Sequence, residues 1–242
     1  MLHIHQNPSA ITVALAEWIT YTIETVLQTQ DRFTWVLTGG NSPKALYDML
    51  AESPYKERIA WNKLHIFWGD ERAVPFSDDR NNAKMTFDHL LNKVPVNPEQ
   101  VHVMRTDIEP EQSALEYQKM LHTYFGTEGN SFDLVLSGMG DDGHTLSLFP
   151  GTEVIHETKD WVKAFYLTAQ QMYRITLTAP VVNRASSVVF LTFGANKAKA
   201  LYEVLEGEPN ADIYPSQIIQ PASGKLHWFV DEPAAALLDK KA

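Results

Sequence analysis

The 242-residue chain has no cysteine, which excludes disulfides and thiolate metal sites. It also has no apolar run approaching the roughly 18–20 residues that a membrane span needs. Its start, Met1-Leu2-His3-Ile4-His5, lacks the basic region and long apolar core of a secretory signal. A soluble, cytoplasmic protein with no membrane partner is expected. Positive charge is short as well: 20 Lys and Arg stand against 30 Asp and Glu, a net charge of -10. No basic excess is left to neutralise a nucleic-acid backbone, so DNA and RNA are not expected as partners. A small anion remains admissible, because a pocket needs only two or three local cations. Repeats, low-complexity tracts and linkers are absent too. Residues 1–242 read as one domain, long enough for a full α/β core.

Several catalytic signatures are missing. There is no H-E-x-x-H, and His3, His5, His122, His156 and His227 are scattered, so no metal centre is expected. The nucleophile elbow G-x-S-x-G is absent, which weighs against a hydrolase triad built from Asp142, His144 and Ser147. The turn Gly39-Gly40 lacks the spacing of a Walker A loop.

What is present is an alternation of strands and helices. Ile11, Ala14, Leu15, Trp18, Ile19, Ile23, Val26 and Leu27 recur at helical spacing with Ser9 as candidate N-cap. The strand Phe33–Thr38 runs into Gly39-Gly40-Asn41-Ser42-Pro43, where Ser42 is placed to cap a helix reaching Ala51. Strand, glycine pair and helix start form an anion-binding geometry as well as a tight turn. Leu64–Trp68 is a second strand, ending in Gly69-Asp70-Glu71-Arg72. There Arg72 either joins a surface network or clamps an oxyanion. Further on, Ala83–Leu91 and Glu111–Phe125 are helical, and Val101–Met104 is a short strand. Trp161–Tyr166, Tyr173–Leu177, Ser187–Phe193 and Leu226–Val230 are strands, Lys197–Leu205 is a helix, and a short helix is expected from Pro233. Such alternation predicts a mainly parallel sheet covered on both faces. The two strands after Gly151 have no helix between them, which adds an antiparallel element.

One stretch stands out: FDLVLSGMGDDGHTLSLFPG, residues 132–151. Its Gly138-Met139-Gly140-Asp141-Asp142-Gly143 spells G-x-G-x-x-G after a strand. A dinucleotide fingerprint should open a helix in the first βαβ unit and meet an acid at the end of the next strand. Here the loop continues to Pro150-Gly151, and Trp161–Tyr166 ends without an acid. His144 lies in this turn beside two aspartates, the setting in which a carboxylate orients an imidazole for general-base work near neutral pH.

LTGGNSPKALYDML, FWGDERAVP, SGMGDDGHTLSLFPG, YRITLT and FGANKAKAL follow in the order and spacing of the 6-phosphogluconolactonases. The chain resembles that family, within the glucosamine-6-phosphate isomerase/deaminase superfamily, over nearly its whole length. The Leu148-Phe149-Pro150-Gly151 ending favours the lactonases over the deaminases. The resemblance implies a Rossmann-like three-layer α/β/α sandwich with a mainly parallel, mixed sheet. It also implies hydrolysis of 6-phospho-D-glucono-1,5-lactone in the oxidative pentose phosphate pathway. His144 is then the general base and Asp142 its neighbour. Gly39, Gly40, Asn41 and Ser42 form the first substrate loop, Asp70 and Arg72 belong to the DER motif, and Arg72, Arg174 and Lys197 lie near the phosphate. Backbone amides of Gly138–Gly143, Gly140 among them, are placed to stabilise the oxyanion. Family members commonly carry Ser-Asn where this chain has Asn81-Asn82; Asn82 is kept as a substrate contact. No metal or organic cofactor is expected. The alternatives are an amino-sugar-phosphate isomerase or deaminase and a non-catalytic sugar-phosphate sensor.

Overall fold

The computed structural model describes residues 1–127 and 129–239. In chain order the elements are β1 (Leu2–His5), α1 (Pro8–Val26), β2 (Phe33–Leu37), α2 (Lys44–Leu50), α3 (Tyr55–Arg58), β3 (Leu64–Trp68), β4 (Asp70–Arg72) and α4 (Asn82–Thr86). There follow β5 (Val101–His102), α5 (Pro110–Phe125), β6 (Leu134–Gly138), β7 (Val162–Leu167), β8 (Met172–Leu177), α6 (Ala179–Val182), β9 (Val188–Thr192), α7 (Ala198–Leu205) and β10 (Leu226–Asp231). No helix among the described residues is long and apolar enough to cross a membrane.

Seven strands form one sheet in the order β1-β10-β9-β6-β2-β3-β5, and every pairing in it is parallel. The expected antiparallel element is a separate sheet, β4-β8-β7. Side chains alternate along each central strand, so both faces of the large sheet must be covered. Phe33, Trp35 and Leu37 of β2, with Val189 and Leu191 of β9, pack under α1 and α2. Val36, Val188 and Phe190 face the other way, into a core shared with α5, α7 and the small sheet. These are the three layers read from the sequence.

Several local expectations are corrected. Helix α1 starts at Pro8, and its cap is Asn7, not Ser9: the Asn7 side chain accepts from the Ala10 amide at 3.0 Å. Ser42 caps nothing, because α2 begins at Lys44 behind Pro43, itself in helical conformation. Asp70–Arg72 is a strand, and the strand at Val101 lasts only two residues. The segment from Pro233 forms consecutive turns rather than a helix.

The chain leaves β2 in one direction, through β3 to β5, and in the other through β6 to β9 and β10. The order therefore reverses between β2 and β6. The crevice at the carboxyl ends of such a pair is where open α/β sheets receive ligands.

Candidate active site

Loops from β2, β6 and β9 and the neighbouring ends of β4 and β8 enclose a cavity of about 240 Å³ at that point. Gly39, Gly40, Asn41, Ser42, Asp70, Arg72, Asn82, Gly140, His144, Arg174 and Lys197 all line it. Asp142 reaches it through His144.

Nδ1 of His144 lies 2.6 Å from Oδ1 of Asp142, which also accepts from the His144 amide at 3.1 Å. Burial pushes the Asp142 carboxyl up, but the hydrogen bond and charge of His144 outweigh it, and the group stays below its usual range. An ionised Asp142 only accepts, so in the neutral imidazole the ring proton is assigned to Nδ1 and the lone pair to Nε2. Among the described residues no protein group bonds to Nε2. Phe149 stacks on the imidazole with centroids 4.1 Å apart, fixing the ring plane. Gly140 makes room for the pair: a Cβ there would stand 2.1 Å from His144 Nδ1 and 2.5 Å from Asp142 Oδ1. The loop alters one expectation about the oxyanion. The Gly140 amide donates to the His144 carbonyl at 2.8 Å and the Gly143 amide to the Gly140 carbonyl at 3.1 Å, so neither is free for a substrate oxygen.

β4 and β8 contribute a cationic wall to the cavity. Arg72 of β4 and Arg174 of β8 are register partners in the antiparallel ladder, and like charges placed opposite one another are unfavourable unless something anionic joins them. Arg174 is 3% exposed, and burial pulls its pKa below the usual arginine value, with Asp70 opposing. Its Nη1 reaches Asp70 and Ser147 at 3.5 and 3.4 Å, its Nη2 donates to Gln170, and its Nε is buried with no partner. Arg72 donates from Nη1 to the Arg80 carbonyl at 2.8 Å, and its Nε is likewise buried and unpaired. Unmet buried donors cost about 1–3 kcal/mol each. Lys197 completes the set, paired with Asp141, whose carboxyl that contact holds down.

A buried polar lattice holds this wall in place. Asn82 donates from Nδ2 to the Asp70 carbonyl at 2.9 Å and to its carboxylate at 3.3 Å. The Asn82 side chain also fills the space a Cβ on Gly39 would occupy, 1.8 Å from that point. Glu71, 1% exposed, accepts from the amides of Arg72, Asn82 and Ala83 at 2.8, 2.7 and 2.8 Å, and burial raises its pKa to about 7. Asn81 caps α4 by accepting from the Lys84 amide at 2.8 Å. Serine is an equally good N-cap type, so the departure at this position keeps a capping residue. Ser147 is fully buried and donates to Asp70 at 2.6 Å, so it is no nucleophile. Sequence reasoning missed Gln170 and gave Phe149 no task; Phe149 was signalled by the Leu148–Gly151 run, Gln170 by nothing.

The model of the glucosamine-6-phosphate isomerases/6-phosphogluconolactonase family matches residues 6–228. A 6-phosphogluconolactonase of Nostoc sp. is 39% identical over 238 residues, covering 96% of this chain and 95% of the relative. One from Synechocystis sp. is 39% identical over 220 residues, with 89% of each chain covered. The solved 6-phosphogluconolactonase of Trypanosoma brucei superposes with a TM-score of 0.87 at 26% identity, over 99% of this chain and 98% of that one.

Proposed function

The chain belongs to the glucosamine-6-phosphate isomerase/6-phosphogluconolactonase family, and from that footing we propose how its residues carry out the reaction. It is an enzyme that hydrolyses 6-phospho-D-glucono-1,5-lactone to 6-phospho-D-gluconate, the lactone-opening step of the pentose phosphate pathway. We take it to act as a single cytoplasmic domain. One observation carries the assignment of roles: the His144–Asp142 pair opens onto the same cavity as Arg72, Arg174 and Lys197. A base that shares one cavity with three cations suits a substrate carrying both an electrophilic carbon and a phosphate.

Nε2 of His144 takes a proton from water as the water oxygen bonds to C1. The tetrahedral intermediate then collapses, the bond between C1 and the ring oxygen breaks, and the imidazolium returns the proton to that oxygen. Asp142 holds the tautomer and balances the imidazolium charge. The Gly140 and Gly143 amides are committed within the loop, so the oxyanion relies on the other amides of Gly138–Gly143 and on the cavity's cations. Gly39, Gly40, Asn41 and Ser42, with Asn82 seated on Gly39 and anchored to Asp70, form the remaining wall against the sugar phosphate.

Purified protein should open the lactone well above its spontaneous rate, and His144→Ala should lose about 10²–10⁴-fold in kcat. Full activity in His144→Ala would remove the base. Ammonia release from glucosamine 6-phosphate would favour the deaminase reading. Binding of 6-phosphogluconate without turnover would favour a sensor.

A further inference from the structure

Gln170 closes the short turn Thr168–Gln170 between β7 and β8. Its side chain lines the cavity, and Oε1 accepts a hydrogen bond from Nη2 of Arg174. The bond is consequential because the other contacts of that guanidinium are long or missing: 3.5 Å to Asp70, 3.4 Å to Ser147, and nothing at Nε. Arg174 is 3% exposed, so solvent compensates little for them.

Facing guanidinium donors, the carboxamide must present its oxygen, which turns its NH2 away from Arg174. Among the described residues that NH2 has no protein partner. A glutamate here would hold the guanidinium more firmly, as a charge-assisted pair. It would also set a second carboxylate on a cation that Asp70 already shares, cancelling charge that an anionic substrate requires. A neutral acceptor fixes Arg174 and leaves its charge intact.

We propose that Gln170 sets the preference for a phosphorylated over an unphosphorylated lactone, by holding Arg174 through a neutral oxygen and offering its own NH2 to the phosphate. This rests on Arg174 facing the phosphate, as proposed above.

The test compares Gln170→Ala, Gln170→Glu and Arg174→Ala with the parent protein. Each is read as the ratio of kcat/KM on 6-phosphoglucono-1,5-lactone to kcat/KM on glucono-1,5-lactone. Gln170 is exposed, so its variants should fold. The ratio should fall about threefold in Gln170→Ala, which loses one neutral hydrogen-bonding group. It should fall about tenfold or more in Gln170→Glu, where a carboxylate meets the phosphate. Both losses should appear in KM rather than kcat. A purely mechanical tether would be improved by the carboxylate, so a Glu variant whose ratio equals or exceeds that of the Ala variant overturns the proposal. An Ala variant matching the parent also overturns it. An unchanged ratio in Arg174→Ala would instead overturn the placement of the phosphate, and the Gln170 proposal with it. A collapsed ratio there beside a flat Gln170 series would refute Gln170 alone.

Discussion

Gly140→Ala isolates the proposed catalytic pair, His144 and Asp142, from the rest of the fold. The new methyl carbon would lie 2.1 Å from His144 Nδ1, 2.3 Å from Cε1 and 2.5 Å from Asp142 Oδ1, where ordinary contact begins at 3.4 Å. The imidazole must therefore move by more than about 1 Å, a displacement that costs on the order of 10²-fold in rate when a reacting group loses its geometry. That corresponds to about 2.7 kcal/mol of transition-state stabilisation. Gly140 does not use the left-handed backbone region, so alanine imposes no strain of its own, and the side chains that move are at the cavity rather than in the core. The expected signature is a kcat lowered about 100-fold with Tm nearly unchanged. Steady-state rates on the phosphorylated lactone, corrected for spontaneous opening, decide it alongside thermal melts. Gly140→Ala within about threefold of the parent would refute the reasoning.

Arg72→Ala should lower kcat/KM on the phosphorylated lactone by about 10–100-fold, the worth of a charge-assisted contact, and far less on unphosphorylated gluconolactone; equal losses would take Arg72 out of the phosphate site. Glu71, raised by burial from 4.5 to about 7, keeps a proton in the folded state between those values that the unfolded chain has released. This group's contribution thus falls as pH rises from 4.5 through 7, and urea midpoints should show Glu71→Gln gaining on the parent over that window. His102 and His227 have the opposite sign. Burial, helped by the neighbouring His65 and His3 respectively, pushes each from 6.5 down to about 4. The unfolded chain takes up protons first, and stability is lost as pH falls from 6.5 towards 4. A double His102→Gln, His227→Gln variant should have a flatter acid limb in the same urea titration, and an unchanged limb would contradict the sign.

The elements that could be read in advance are those whose signal is local. β2, β3 and β9 are short apolar runs ended by glycine or polar residues, and α1 and α5 carry a helical stripe long enough to count. β4 was not legible, because Asp-Glu-Arg has no hydrophobic period; those residues are a strand only because β8 pairs with them. β1 escaped for a similar reason: Leu-His-Ile-His at an edge is a strand by virtue of β10. The same division runs through the site. His144 and Asp142 are two residues apart and meet within one loop, so their pairing could be anticipated. Arg72 and Arg174 face each other through a ladder register that no local pattern encodes, and Gln170 is recognisable only once Arg174 is seen to lack partners.

The cavity joins two structural systems whose separation is set by a few bonds. The base hangs from the large parallel sheet, the guanidiniums from the small antiparallel one. Gly69, between β3 and β4, donates its amide to the Leu37 carbonyl at the end of β2 and accepts from the Leu177 amide at the end of β8, at 3.1 and 2.8 Å. That one residue fixes the small sheet against the large. Ser147 makes the second link, from the far side: its amide donates to Thr176 of β8 at 3.1 Å and its hydroxyl to Asp70 of β4 at 2.6 Å. The loop carrying His144 is thereby tied, three residues further on, to the two strands that carry Arg72 and Arg174. Gly69 and Ser147 thus couple the backbone of the loop carrying His144 to the strands carrying Arg72 and Arg174. On the proposed roles, binding energy from a phosphate held by these guanidiniums reaches the reacting carbon through that bonded framework.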